Sequence, residues 1–134
     1  MGVTGGRFLL DTHVLLWLLG DPERVPRRTR DVLADRGNRL YVSAASALEV
    51  ATKARIGKLS ASHLVDTWSE RLRDIAADDL PVTSQHAILA ASLTWLHRDP
   101  FDRLLVAQAL VDNLVLVTTD TAVTGVVGLR LETW

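Results

Sequence analysis

The sequence predicts an α/β fold in which helices cover both faces of a central parallel sheet. Short apolar runs alternate with longer amphipathic stretches along the chain. Strands separated by helices need crossover connections, and such connections make neighbouring strands parallel. The run "LVLVTT" (114–119) has the character of a buried strand. At 134 residues, the chain fits one compact domain and is too short for two ordinary ones.

The spacing of apolar residues and the turn residues between them predict each element. Strands are predicted at residues 7–10, 40–43, 80–83, 114–119 and, as a closing edge strand, 128–134. Helices are predicted at residues 12–20, 27–37, 45–56, 61–75, 84–96 and from about 101 to 113. Gly20 and Gly37 are predicted to end the first two helices, and Pro22 and Pro26 mark the turn between them.

Composition excludes several classes of protein. Apolar residues make up 48% of the chain and charged residues 23%, the balance of a folded domain. The absence of cysteine excludes disulfides, thiolate zinc sites and cysteine nucleophiles. The net charge of −1 is not that of a typical nucleic-acid binder, so charge alone does not identify a partner. No apolar stretch approaches the roughly 20 residues of a membrane span, and no signal peptide is predicted, which favours a cytoplasmic protein.

Four acidic residues occupy positions where a parallel sheet would bring them together. Asp11 and Asp120 directly follow apolar strands, and Glu49 and Asp102 lie near the start of predicted helices. Reactive crevices in such sheets lie outside the carboxyl ends of the strands. Clustered carboxylates repel one another unless a cation compensates their charge. Oxygen ligands suit Mg²⁺ or Mn²⁺, which favours metal-assisted hydrolysis of a phosphodiester.

Each acid also has a simpler interpretation as a helix cap. Ser46-x-x-Glu49 matches a capping box, and Asp99 precedes a proline at the first position of a helix. Asp11 and Asp120 could cap the segments that follow them. Taken singly, each of these acids is more often a cap than a metal ligand.

The remaining polar and aromatic residues predict ordinary structural roles. Glycine-rich nucleotide loops and a serine nucleophile elbow are absent. Without paired zinc-ligand spacing, packing or capping is expected of the histidines, at positions 13, 63, 86 and 97. Core positions are predicted for Trp17, Trp68 and Trp95. A solvated helix face is favoured over a phosphate-guiding surface for the arginines at positions 24, 27, 28 and 30.

Four motifs, in order, carry a resemblance to a known family. "LLDTHVLLW", "VSAASALEVATKARIGKL", "HRDPFDRLLVAQAL" and "LVLVTTD" resemble the ordered motifs of PIN-domain proteins, specifically VapC-type toxins of bacterial toxin–antitoxin pairs. The resemblance runs from Phe8 to Leu131. It implies a three-layer α/β/α domain over residues 7–134, preceded by a six-residue tail that is expected to be disordered.

The resemblance also implies an activity and a set of site residues. The family consists of endoribonucleases that depend on Mg²⁺ or Mn²⁺. By this resemblance, Asp11 and Asp102 are the principal metal ligands, and Glu49 and Asp120 complete the acidic pocket. Asp99 belongs to the same motif as Asp102 but is expected to be a cap.

Two threonines flank acids of the predicted pocket. Thr12 and Thr119 are expected to hydrogen-bond to the ligating carboxylates.

The partners implied by the resemblance are an RNA substrate, a second copy of the chain and a cognate VapB-type antitoxin. The antitoxin's C-terminal segment would lie across the acidic pocket, and no direct DNA binding by the chain itself is expected. An alternative is a catalytically silent module of the same fold that binds RNA or protein. A phosphoacceptor receiver domain is disfavoured, because it needs a lysine near the last strands and the chain has only Lys53 and Lys58.

Overall fold

A five-stranded parallel sheet forms the centre of the protein, which we describe from a computed structural model over residues 5–134. The strands are β1 (Arg7–Leu10), β2 (Arg39–Ser43), β3 (Ala77–Leu80), β4 (Val115–Val117) and β5 (Arg130–Glu132). The helices are α1 (Thr12–Gly20), α2 (Arg27–Ala34), α3 (Ala44–Arg55), α4 (Ser62–Asp66), α5 (Trp68–Asp74), α6 (Ser84–Ser92) and α7 (Pro100–Val111). Short 3₁₀ turns occupy Pro22–Arg24 and Thr121–Gly125. The strand order is β3-β2-β1-β4-β5, which confirms the predicted α/β class.

Side chains alternate between the two faces of the sheet and build a separate core on each. Phe8 and Leu10 of β1 belong to one core, together with buried residues of α1, α2 and α5. Leu9 belongs to the other core, which includes Leu105 and Val106 of α7. This alternation follows from the two-residue repeat of a β-strand. Because helices cover both faces, the molecule has the predicted three layers.

The register of the central strands decides where the acidic residues emerge. Leu10 of β1 is paired with Val117 of β4, so the two strands end at the same level of the sheet. The Asp11 N–H continues the ladder by donating to the Val117 carbonyl at 2.9 Å. The segments that follow β1 and β4 therefore leave the sheet side by side at its carboxyl edge.

The third strand lies three residues earlier than the sequence predicts. The sequence predicts a strand at 80–83, whereas β3 spans Ala77–Leu80 and pairs with β2. Asp78 and Asp79 obscure the strand in the sequence, because a polar pair breaks the apolar run. They are tolerated because β3 is an edge strand, where both side chains reach solvent. Pro81 lacks the N–H that would extend the ladder.

The predicted helix at 61–75 is divided into α4 and α5 at Thr67. The Thr67 hydroxyl donates to the His63 carbonyl at 2.8 Å, a contact that competes with the helical backbone pattern and bends helices. The apolar spacing continues through the break, which is why periodicity alone predicted one helix. Other helices end earlier than predicted, α2 at Ala34 and α6 at Ser92.

The amino-terminal tail that the sequence predicts over residues 1–6 lies partly outside the described residues, which begin at Gly5. The N–H groups of Gly5 and Gly6 donate to the Gly37 carbonyl and the Asn38 side-chain oxygen at 2.8 and 2.9 Å. Within residues 5–134, no helix combines the length and the apolar character that crossing a bilayer requires.

Truncating Leu9 tests the core on the α7 side of the sheet. Leu9 is 0% exposed, and Leu9→Ala is expected to lower the free energy of unfolding by about 2–5 kcal/mol, because it leaves a cavity among packed side chains. The matched control is Leu96→Ala at a residue that is 92% exposed, where a change within about 0.5 kcal/mol is expected. Urea denaturation of both variants measures the difference, and equal unfolding midpoints would contradict the core assignment.

Candidate metal centre

Asp11 is held at the junction between β1 and α1 by two donors. One carboxylate oxygen accepts from the His13 backbone N–H at 3.3 Å, so Asp11 is the N-cap of α1. The other oxygen accepts from the buried Thr118 hydroxyl at 2.5 Å. Because each oxygen has a second lone pair, capping the helix does not prevent this carboxylate from binding a cation.

Glu49 lies on α3 and is paired with a lysine rather than with the helix terminus. The N-cap of α3 is Ser43, whose hydroxyl accepts from the Ala45 N–H at 2.9 Å, so the capping box with Ser46 does not form. The Glu49 side chain is only 6% exposed, and its Oε2 accepts from Lys53 Nζ at 2.6 Å. This hydrogen bond is the main reason that the pKa of Lys53 is raised, and the nearby Asp99 and Asp102 raise it further. Lys53 is therefore a fixed positive charge beside the acidic residues.

Asp102 lies in the first turn of α7 and faces other charged groups. Asp99 caps this helix by accepting from the N–H groups of Phe101 and Asp102, as the sequence predicts. Asp102 Oδ2 is 2.7 Å from His97 Nε2. Burial raises the pKa of Asp102, the hydrogen bond to His97 opposes this change, and repulsion from Asp99 and Asp11 adds to it. The carboxylates of Asp11 and Asp102 are thus close enough to repel each other.

Asp120 completes the acidic edge after β4. It caps the second 3₁₀ turn, with Oδ1 accepting from the Ala122 N–H at 2.9 Å. One potential ligand atom from each of His97, Asp102 and Asp120 lies within 4.8 Å of the others. Asp11 and Glu49 lie outside this tight group.

Among the threonines near the acids, Thr118 contacts Asp11, whereas Thr12 contacts a serine of α3. Thr12 donates to or accepts from the Ser46 hydroxyl at 2.9 Å, which joins α1 to α3. Thr118, rather than the predicted Thr119, contacts Asp11. The Thr118 hydroxyl also accepts from the Asp120 N–H at 3.0 Å, so a single side chain connects two of the predicted acids.

Sequence reasoning assigned no site role to His97, Lys53 or Arg103. His97 lies five residues before Asp102 in "HRDPFDR", and this proximity to the acid was the available signal. Lys53 is one helical turn after Glu49, a spacing that pairs opposite charges on one face. The guanidinium of Arg103 donates to the carbonyls of Ala90, Leu93, Trp95 and His97 at 2.6–2.9 Å.

The basic residues of the first 3₁₀ turn and of α2 do not belong to this edge. Arg24 stacks over Trp17, and Arg30 donates to the Val25 carbonyl at 3.0 Å. Arg27 and Arg28 line a cleft of about 1130 Å³ that also includes Asn113, just before β4. This cleft lies at the amino ends of the strands, away from the acidic residues.

The donor set at the carboxyl edge fits a divalent cation. Carboxylates supply most of the potential ligands, and one imidazole is added to them. Lys53 provides one compensating positive charge beside Glu49, Asp99 and Asp102. Carboxylate oxygens suit hard cations such as Mg²⁺ and Mn²⁺, so the residues present match the metal that the sequence predicts.

The fold and the site together define a parallel α/β protein with acidic residues at the carboxyl edge of its sheet that could bind a metal ion. The family model described as "PIN domain" matches residues 8–127. The chain therefore belongs to the PIN-domain family.

Solved structures with the same fold include complexes from bacterial toxin–antitoxin systems. VapBC2 from Rickettsia felis, bound to a DNA fragment from its promoter, matches with a TM-score of 0.72 and 17% identity, over 96% of this chain and 98% of that one. A toxin–antitoxin complex from Klebsiella pneumoniae matches with a TM-score of 0.63 and 19% identity, over 90% and 93%. VapBC-1 from nontypeable Haemophilus influenzae has a TM-score of 0.60 and 18% identity, over 96% and 98%. No curated protein sequence matches the chain significantly.

Replacing Lys53 tests its pairing with Glu49. Lys53→Met is expected to lower the free energy of unfolding of the metal-free protein by about 1–3 kcal/mol, because a buried carboxylate loses its donor. Lys58→Met is the matched control, since Lys58 is exposed. Thermal unfolding in the presence of a chelator measures both variants, and equal melting temperatures would show that the Lys53–Glu49 pair does not stabilise the fold.

Proposed function

We propose that this protein is a VapC-type toxin that hydrolyses RNA phosphodiester bonds with the help of a divalent cation. The observation that carries the proposal is the gathering of Asp11, Glu49, Asp102 and Asp120 around one edge of a PIN-domain sheet. The similar solved structures of toxin–antitoxin complexes support the choice of a toxin within this family.

A divalent cation at this edge is part of the proposal. Asp11 and Asp102 are the proposed principal ligands for Mg²⁺ or Mn²⁺, and Glu49 and Asp120 complete the site. The cation would supply positive charge for the phosphate oxygens and lower the pKa of water. Repulsion between Asp11 and Asp102 favours this occupation, because a bound cation relieves it.

The protein's own residues would position the reactants. Thr118 holds one oxygen of Asp11 and the backbone of Asp120, so the two acids keep a fixed separation. Glu49 accepts from Lys53 with one oxygen, and its other oxygen could accept a proton of the attacking water. Lys53 remains protonated because its pKa is raised, and its ammonium would attract the phosphodiester.

The proposed partners are a cognate VapB-type antitoxin and a second copy of the chain, with the protein acting in the cytoplasm. The similar solved structures include a toxin–antitoxin complex from Klebsiella pneumoniae, which supports the first partner. A shallow apolar pocket of about 270 Å³ between α6 and α7, lined by Ala87, Ala91 and Leu104, offers a surface for the second. Ile88, 69% exposed, lies on the same helix as the two alanines.

Cleavage of RNA by metal-stripped protein tests the proposed activity. Mg²⁺ or Mn²⁺ is expected to restore cleavage of total cellular RNA at discrete sites. Asp11→Asn and Asp102→Asn are expected to reduce the rate by about 10²-fold or more, because a neutral amide binds a cation poorly and each carboxylate contributes several kcal/mol of charge stabilisation. Asn remains a good helix cap, so Asp11→Asn should fold.

The matched control for this experiment is Asp66→Asn, an exposed acid on α4 that should leave cleavage unchanged. If well-folded wild-type protein cuts no RNA with either metal, the catalytically silent module that binds RNA or protein becomes the better assignment.

Light scattering on the free protein tests the homodimer. At micromolar concentration the expected mass is twice the 14.7 kDa of one chain. Ile88→Glu is expected to shift the mass toward the monomer, because it places a charge beside the apolar pocket. A wild-type scattering mass equal to that of one chain would contradict the dimer.

A further inference from the structure

We propose that His97 is a metal ligand through Nε2 and that this nitrogen makes the site prefer Mn²⁺ over Mg²⁺. The inference rests on the proposed function and adds a residue and a choice of metal to it. Its basis is the tight group of potential ligand atoms from His97, Asp102 and Asp120, which lie within 4.8 Å of one another.

The spacing of these atoms is close to that of ligands around one ion. Ligand atoms about 2.1 Å from an octahedral cation lie about 3.0 Å apart when adjacent and about 4.2 Å apart when opposite. His97 Nε2 and Asp102 Oδ2 are 2.7 Å apart. An ion between them would therefore need only a small outward movement of the two side chains. Its binding would replace the hydrogen bond that joins them and would require the imidazole tautomer with its proton on Nδ1.

The imidazole is positioned by contacts that do not depend on Asp102. It stacks on Trp95 with ring centroids 4.7 Å apart and an interplanar angle of 21°. Trp95 Nε1 donates to the Ala122 carbonyl at 3.0 Å, in the same turn that Asp120 caps. Arg103 donates to the carbonyls of both Trp95 and His97. The segment that carries the nitrogen ligand is thus joined to both segments that carry the acids.

His86 has the contacts of a histidine with a purely structural role, and these differ from the contacts of His97. His86 is 3% exposed, its Nε2 is 2.8 Å from Asp112, and its Nδ1 accepts from the Thr83 N–H. Both of its nitrogens are therefore used to cap and anchor α6. The His97 side chain is 29% exposed and faces two acids instead of one. Its surroundings are those of a ligand that a solvent ion can reach.

The nitrogen donor decides between the two candidate metals. Mg²⁺ is a hard cation that prefers oxygen ligands and retains its waters, whereas imidazole nitrogen suits transition-metal ions. Mn²⁺ accepts both donor types. A site with one imidazole and several carboxylates therefore gains affinity for Mn²⁺ that it does not gain for Mg²⁺.

Metal titrations and electron spin echo spectroscopy test this assignment. Metal-stripped wild-type protein, His97→Gln and His97→Asp would be titrated with MnCl₂ and with MgCl₂ by calorimetry, with His63→Gln as the exposed control. Wild-type protein is expected to bind Mn²⁺ at least about tenfold more tightly than Mg²⁺. The ratio should fall severalfold in both His97 variants, and His97→Asp should retain Mg²⁺ binding. His63→Gln should behave as wild type.

The spectroscopic measurement shows directly whether a histidine nitrogen binds the ion, and the His97→Gln variant shows whether that histidine is His97. Mn²⁺-loaded wild-type protein is expected to show ¹⁴N coupling that becomes ¹⁵N coupling when histidine is labelled, and His97→Gln should lose it. Mn²⁺ binding without histidine coupling, or with an unchanged metal ratio in His97→Gln, would overturn the inference while leaving a carboxylate metal site intact. Wild-type protein that binds neither ion would overturn both this inference and the proposed function.

Discussion

Carboxylates gathered at the carboxyl edge of this sheet repel one another, and the arrangement of the surrounding residues compensates that repulsion. Glu49 is paired with Lys53, Asp11 accepts from Thr118, and Asp102 contacts His97. The raised pKa of Asp102 reflects burial and repulsion that its hydrogen bond to His97 does not fully offset. The proposed cation would neutralise the remaining negative charge at this edge.

Helix capping and metal binding are compatible at this edge because each oxygen of a carboxylate has more than one lone pair. Asp11, Asp99 and Asp120 each cap the segment that follows them, and each uses one oxygen to do so. These residues are therefore helix caps, and this role does not prevent them from also binding a metal ion. Glu49 is the exception, since Ser43 takes the cap of α3 and leaves Glu49 to pair with Lys53.

The irregular segment between α6 and α7 is organised by one guanidinium. Arg103 donates to four carbonyls of this segment and of the end of α6, which satisfies backbone acceptors that no helix or strand would pair. The same residue stands directly after Asp102. An acid and the arginine that orders its surroundings are thus carried on the same turn of α7.

The sequence by itself determined the parallel α/β class, the strands β1 and β2, and the edge at which Asp11 emerges. These follow from local patterns, because apolar runs and periodic helices are written in consecutive residues. It did not determine β3, whose Asp78 and Asp79 are acceptable only on an edge strand, or the break at Thr67, where a side-chain contact interrupts a continuous apolar pattern. Only the tertiary structure decided that Thr118 rather than Thr119 contacts Asp11 and that His97 joins Asp102 and Asp120. Such contacts depend on how separate segments pack in space, and no local pattern records that packing.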